Sequence, residues 1–258
     1  MRDIIFATRG VCVRGRALIV ALAAAGLLLA GCIFPIGASV EQRPLVVQSF
    51  GSGPVTLLFV GGLHTGPEDN TRVLAEMLAR HFAEHPQDVP PQVSLYILTA
   101  ANPDGSARNV HTNAHDVDLN RNWPSDNWVA NACHPVTGCT TNLGGTQPLS
   151  EPETRALYDF VAGLRPEMVF VWHAQASLVE ANEVAGADGH GQAYAGAAGF
   201  DYIEEWTAYT ITGQFIDAMQ QRLGVRAADV ELSRCCSMTQ QEFDRNLAGV
   251  QAVLAGYR

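Results

Sequence analysis

Val55-Thr56-Leu57-Leu58-Phe59-Val60 runs directly into Gly61-Gly62-Leu63-His64-Thr65-Gly66-Pro67-Glu68, and the reading of these fourteen residues decides the fold. Six uncharged, mostly apolar residues ahead of a glycine pair read as a strand buried on both faces, in a sheet covered by helices on each side. The glycines end the strand, and His64 and Glu68 then stand at the entrance of a helix-like segment over 70–81. Imidazole nitrogen and carboxylate oxygen both suit zinc, and a catalytic zinc site takes three protein ligands, so this pair requires a third from elsewhere. Taken alone, the same pair also reads as a solvated turn and a helix-start carboxylate.

Working outward, Val73, Leu74, Met77, Leu78 and Phe82 recur at helical spacing and give a helix over 71–82 with one buried stripe. A strand over 92–98 ends in Asn102-Pro103-Asp104-Gly105, a turn sequence. Residues 106–149 show no sustained period and form a long loop too rich in aromatic and Asp/Asn clusters for a linker. Ser150-Glu151-Pro152-Glu153 reads as a capping box opening a helix to Leu164, and a strand over 167–172 runs into His173. A Gly/Ala-rich surface loop over 186–199, a helix over 214–223, a strand over 227–232 and a final helix over 240–254 follow. The alternation predicts an α/β three-layer sandwich, a central mixed β-sheet flanked by helices. Active groups in such sheets gather at the carboxyl ends of strands, where His64, Asn102, His173 and Glu231 lie. A neutral imidazole at His173 completes a His, Glu, His set with His64 and Glu68.

The N-terminus is read separately. Arg2, Arg9, Arg14 and Arg16 precede the apolar run from Ala17 to Ala30, a secretory signal pattern that is short for a spanning helix. Three segments result: a signal over 1–31, a tether passing into an edge strand over 32–53, the strand itself over 44–49, and one catalytic domain over 54–258. The 258 residues are 47% hydrophobic and 16% charged, with 16 basic and 26 acidic residues. Removing residues 1–31 takes four Arg and one Asp, leaving a net charge of about −13. Nucleic acid is excluded as a partner on that balance. Cys133 and Cys139 are spaced for a small disulfide, whereas adjacent Cys235 and Cys236 pair only under strain.

Two resemblances carry the functional expectation. Leu29-Ala30-Gly31-Cys32 resembles the lipobox of bacterial lipoproteins, which implies that Cys32 is acylated and anchors the chain to a membrane outside the cytoplasm. The remainder resembles the zinc carboxypeptidase family. The matching pieces occur in family order: Gly-Gly-x-His with Glu68, Asn102-Pro103-Asp104-Gly105, Val117-Asp118-Leu119-Asn120-Arg121-Asn122-Trp123-Pro124, Ser150 to Glu153, His173, Tyr209 with Gly213, and Glu231-Leu232. This resemblance implies one zinc ion on His64, Glu68 and His173. It implies Asn120 and Arg121 as a clamp on the terminal carboxylate of a substrate, where a guanidinium fork matches two oxygens. Glu231 is implied as the general base, Tyr209 as a lid over the substrate, and Ile216 as the residue that reports the side-chain pocket, leaning toward neutral or aromatic residues.

The chain departs from the family at two places. The usual spacing is His-x-x-Glu, whereas His64 and Glu68 are one residue further apart, so that either the loop bulges or Glu68 caps the helix and Asp69 replaces it. The arginine that polarises the scissile carbonyl is replaced by His111, leaving Arg108 or His111 itself for that task. The expected activity is hydrolysis of a C-terminal peptide or amide bond in a peptide or peptidoglycan peptide. A non-catalytic lipoprotein binding such peptides and a deacylase of small amino-acid derivatives are the alternatives.

Overall fold

A computed structural model describes residues 31–134, 138–181 and 189–257. The signal read over 1–31 therefore lies, apart from Gly31, outside the described residues. The elements in chain order are β1 (Cys32–Ala38), β2 (Pro44–Gly51), β3 (Val55–Val60), α1 (Asn70–Glu84), β4 (Val93–Leu98) and α2 (Pro103–Arg108). After the long loop, which holds the short strands β5 (Cys133–His134) and β6 (Gly138–Cys139), come α3 (Pro152–Leu164), β7 (Met168–Ala174), β8 (Leu178–Ala181) and α4 (His190–Ala198). β9 (Asp201–Ile203), α5 (Phe215–Ala218), a π-helical turn over Met219–Leu223, β10 (Arg226–Leu232) and α6 (Gln240–Ala255) complete the chain.

Eight strands form one mixed sheet in the order β1-β2-β4-β3-β7-β10-β8-β9. The four central strands β4, β3, β7 and β10 are parallel, and antiparallel pairings flank them. Because side chains alternate along a strand, each central strand feeds two cores. Leu57, Phe59, Phe170, Trp172 and Val230 face the core under α1, α4 and α6. Leu58, Val60, Val169, Val171 and Ala227 face the other, closed by Trp123, Leu157, Val161 and Phe215. This is the three-layer α/β sandwich that the sequence predicts. Among the described residues no helix is long and apolar enough to cross a membrane.

Four local expectations are corrected. Residues 32–38 are no tether: they form the outermost strand β1, antiparallel to β2, so the strand at Pro44–Gly51 has a neighbour on both sides. Asn102 begins the helix α2 where a turn was expected, its side-chain oxygen accepting the Gly105 N–H at 2.9 Å. The Ser150 capping box is not formed; helix α3 starts at Pro152, and the Ser150 hydroxyl instead donates to Glu151 at 2.7 Å. The loop read over 186–199 holds helix α4 from His190, anchored by Tyr194, whose hydroxyl accepts from Trp172 Nε1 and donates to Asn246; residues 186–188 lie outside the described residues. The expected Cys133–Cys139 disulfide is formed and joins β5 to β6.

Candidate metal centre

Strand ends bring three side chains to one point. His64 and Glu68 follow β3, and His173 is the penultimate residue of β7, the next strand in the sheet. His64 Nδ1 lies 3.1 Å from His173 Nδ1 and 3.4 Å from Glu68 Oε2, which is 4.0 Å from His173 Nδ1. Ligand bonds of about 2.0–2.2 Å in a tetrahedron give edges of about 3.3–3.6 Å, so the three atoms are spaced as one metal ion would hold them. The extra residue between His64 and Glu68 is taken up by Gly66, at φ +64°, and a 3-10 turn over Gly66–Glu68. A Cβ at Gly66 would come within 3.1–3.3 Å of the backbone from Asn109 to His111. Asp69 is occupied elsewhere, accepting from Arg72 Nε at 3.0 Å and from the Ser106 hydroxyl at 2.7 Å, so Glu68 is the carboxylate that faces the cluster.

The donor set fits a divalent cation on chemical grounds as well. Asp118 Oδ1 accepts from His64 Nε2 at 2.9 Å, which leaves the Nδ1 lone pair to face the cluster. His173 Nε2 is 3.5 Å from Asp229 Oδ1. Two imidazole Nδ1 atoms and a carboxylate oxygen thus converge, an arrangement that calls for positive charge between them. Without an ion, protonation supplies it: burial opposes a charge on His64, but Asp118 and Glu68 outweigh it and carry the imidazole up to about 10. Glu68, which burial alone would raise, is drawn down to about 2 by His64, with His173 and His111 adding to the effect. A second grouping, His64, His111 and Asp118, also lies within metal-ligand range; there Asp118 Oδ1 is bonded to His64 Nε2 and the Asn120 N–H, while Oδ2 has no hydrogen-bond partner among the described residues.

β10 runs parallel to β7 with Glu231 opposite His173, which sets a carboxylate beside the cluster. Burial, reinforced by Glu68 and Asp229, pushes Glu231 up to about 7 against the opposing pull of His173 and His64. Arg121 and Asn120 line the same recess as His64, Glu68, His173 and Glu231. Arg121 donates to Asn120 O at 2.9 Å, and the loop passes so close to Gly213 that a Cβ there would sit 2.2 Å from Arg121 O. Tyr209, 37% exposed, overhangs the recess with its ring edge-on to Trp206 at 5.3 Å. His111 stands beside the cluster, 3.6 Å from Glu68 Oε1 and 3.5 Å from Asp118 Oδ2.

Two residues singled out from the sequence are not brought to the site. Arg108 ends α2 with its guanidinium donating to Asn113 O at 3.3 Å and 3.7 Å from Asp116, turned away from the recess. Ile216, on α5, is buried in the core with Trp123 and Phe215 and reports nothing about the cleft. Conversely, the sequence reading gave no role to Asp118, His134, Glu180, Trp206 or Asp229, all of which line the cleft. Asp118 stood inside the quoted Asp-Leu-Asn-Arg stretch. Asp229 and Glu231 are two apart in an otherwise apolar strand, a spacing that puts both on one face.

Comparison with known proteins agrees with this geometry. A family model described as zinc carboxypeptidase matches residues 32–182, more than half of the chain. Murein peptide amidase A of Escherichia coli strain K12 is 32% identical over 151 residues, covering 56% of this chain and 58% of that protein. Zinc carboxypeptidase A 1 of Anopheles gambiae is 26% identical over 164 residues, covering 55% and 37%. The chain thus spans less than two thirds of the length of these relatives. Among solved structures, the murein-tripeptide amidase of E. coli O157 superposes with a TM-score of 0.65 at 20% identity over 88% of this chain and 92% of that one. Bovine thrombin-activatable fibrinolysis inhibitor, in complex with tick carboxypeptidase inhibitor, superposes with 0.71 at 17% identity over 88% and 90%. Both likenesses concern the fold.

Proposed function

The chain belongs to the zinc carboxypeptidase family, and from that premise we propose that it is a peptide hydrolase that removes a C-terminal residue bearing a free carboxylate. A cell-wall peptide is the substrate favoured by its likeness to murein peptide amidase A. The observation that carries the reading is the convergence of His64 Nδ1, His173 Nδ1 and Glu68 Oε2 beside the Glu231 carboxylate.

His64, Glu68 and His173 would hold one zinc ion, which when bound supplies a Lewis acid and lowers the pKa of water at the site toward about 7. Arg121 pairs with the terminal carboxylate through its guanidinium fork, with Asn120 beside it, and so fixes which bond lies over the cluster. Glu231 takes a proton from the attacking water and hands it to the departing amine nitrogen, work suited to a carboxylate held near neutrality. His111, in the position nearest to Glu68 on the open side, donates a hydrogen bond to the carbonyl oxygen as it gains negative charge. Tyr209 closes over the bound peptide and excludes water. The lipobox reading belongs to the same proposal: acylated Cys32, exposed at the start of the outermost strand, anchors the domain outside the cytoplasm with the cleft several strands away.

A peptide library with free and amidated C-termini, incubated with and without a chelator, tests the activity. Chelator-sensitive loss of single C-terminal residues from free-carboxylate peptides alone is the expected result. Equal cleavage of amidated peptides would overturn the role of Arg121. A Cys32→Ser variant that stays in the membrane fraction would overturn the anchor.

A further inference from the structure

β8 lies antiparallel to β10 with Glu180 directly opposite Asp229, on the face that also carries Glu231. Carboxylates directly opposite one another across a sheet repel. Both are buried, Glu180 at 8% and Asp229 at 5% exposure. Asp229 has the His173 imidazole beside it, whereas among the described residues Glu180 is bonded only by neutral donors. Glu180 accepts from the Trp206 N–H at 3.0 Å, and the Gln214 amide nitrogen bridges Glu180 at 3.4 Å and Asp229 Oδ2 at 2.9 Å. Among the described residues Asp229 Oδ1 accepts no hydrogen bond, and His173 Nε2 lies 3.5 Å from it as an ion-pair neighbour.

Glu180 continues into a cavity of about 380 Å³ whose walls also include Asp217, Glu205, Gln214, Trp206 and Tyr209, and among the described residues no Arg or His lines it. Burial and the nearby Asp229 raise both Glu180 and Asp217 above the usual carboxylate range. The chain contains no lysine, so no side-chain ammonium of its own can enter. Glu180, Trp206, Tyr209 and Ile211 line both this cavity and the recess at the metal centre. A residue whose carboxylate is held at Arg121 would therefore send its side chain past the Trp206 and Tyr209 rings toward the carboxylates.

We infer that this cavity is the side-chain subsite for the residue leaving the substrate's C-terminus, and that it selects a side chain ending in a primary ammonium, with Glu180 and Asp217 as the specificity-determining groups. The methylene stem packs against the two aromatic rings, and the ammonium, with three N–H donors, supplies the positive charge that Glu180 and Asp217 lack. This direction of the substrate rests on the carboxypeptidase reading. The apolar preference expected from Ile216 is replaced by its neighbour Asp217, which turns into the cavity while Ile216 turns into the core.

Binding to full-length protein carrying Glu231→Gln, loaded with zinc, tests the inference independently of turnover. Calorimetric titration compares peptides that differ only in a C-terminal lysine, norleucine or Nε-acetyl-lysine. Lysine should bind at least about tenfold more tightly than the other two, the equivalent of about 1.4 kcal/mol. Adding Glu180→Gln together with Asp217→Asn should erase that margin, and Asp217→Asn alone should narrow it if the double variant does not fold. Equal binding of the three peptides, or no binding of any, overturns the inference. If wild-type protein nevertheless hydrolyses all three alike, the carboxypeptidase reading stands without the subsite. If lysine is preferred in binding but nothing is hydrolysed, the subsite stands and the enzymatic reading falls.

Discussion

The cleft contains two groups of buried and half-buried carboxylates that differ in what they face. At the metal centre, Asp118 and Glu68 lie against the imidazoles of His64 and His173, and opposite charges hold both acids ionised. In the adjoining cavity, Glu180 and Asp217 feel Asp229 as a like charge, and Glu180 accepts only from the Gln214 amide and the Trp206 backbone N–H. The first group is balanced from within the chain and persists whether or not anything binds. The second costs stability as it stands, and that cost is recovered only when a cation arrives from outside. Burial by itself therefore says little about an acid's role; the sign of the charge across from it says much more.

The largest effect expected on the balanced side is loss of the ion. His173→Ala should reduce bound zinc from about one equivalent to background by elemental analysis while the far-ultraviolet circular dichroism is unchanged. A His173→Ala protein that still binds one zinc would break the contrast, since the centre would then lie elsewhere. Next, Glu231→Gln should lower turnover by about 10²–10⁴-fold and leave zinc content intact. Asp118→Asn should weaken zinc by about 10–100-fold in chelator competition, because it unfixes the His64 tautomer rather than removing a ligand.

The smallest effect sharpens the contrast through pH. The folded-state pKa of Glu180 is raised from an ordinary 4.5 to about 7, so its destabilisation is absent below pH 4.5, grows as pH rises and is complete above about 7. Glu180→Gln should accordingly stabilise the protein by about 1–3 kcal/mol at pH 9 and by little at pH 4, read from urea unfolding. Asp104 supplies the opposite sign. Burial would raise it, but the Ser39 hydroxyl, the Glu41 N–H and Arg43 hold it below the usual range. It contributes stability above its ordinary pKa of 3.8 that is lost as pH falls through the lowered value, so Asp104→Asn should destabilise at pH 7 and much less at pH 2.

The fold and the convergence of His64, Glu68 and His173 were legible in the sequence because each rests on a short, local signal. The apolar runs at 55–60 and 168–172 read as buried strands, and parallel neighbours of that kind bring the residues after them to the same end of the sheet. The subsite was not legible, because it depends on which strands pair. Glu180 and Asp229 are 49 positions apart, and nothing in either neighbourhood announces that β8 turns antiparallel onto β10. Ile216 misled for a related reason: counting seven residues from Tyr209 fixes a position along the chain, while the start of α5 at Phe215 decides which of two adjacent side chains faces the cleft. β1 was missed because Pro35 and Gly37 dilute the strand pattern; a register shift between them accommodates both at the sheet's edge.

Anomalous diffraction at the zinc absorption edge, from crystals of the zinc-loaded protein, tests the central claim most directly. One peak within bonding distance of His64 Nδ1, His173 Nδ1 and the Glu68 carboxylate is the expected result. A peak on His111 and Asp118, or none in the cleft, would contradict the account.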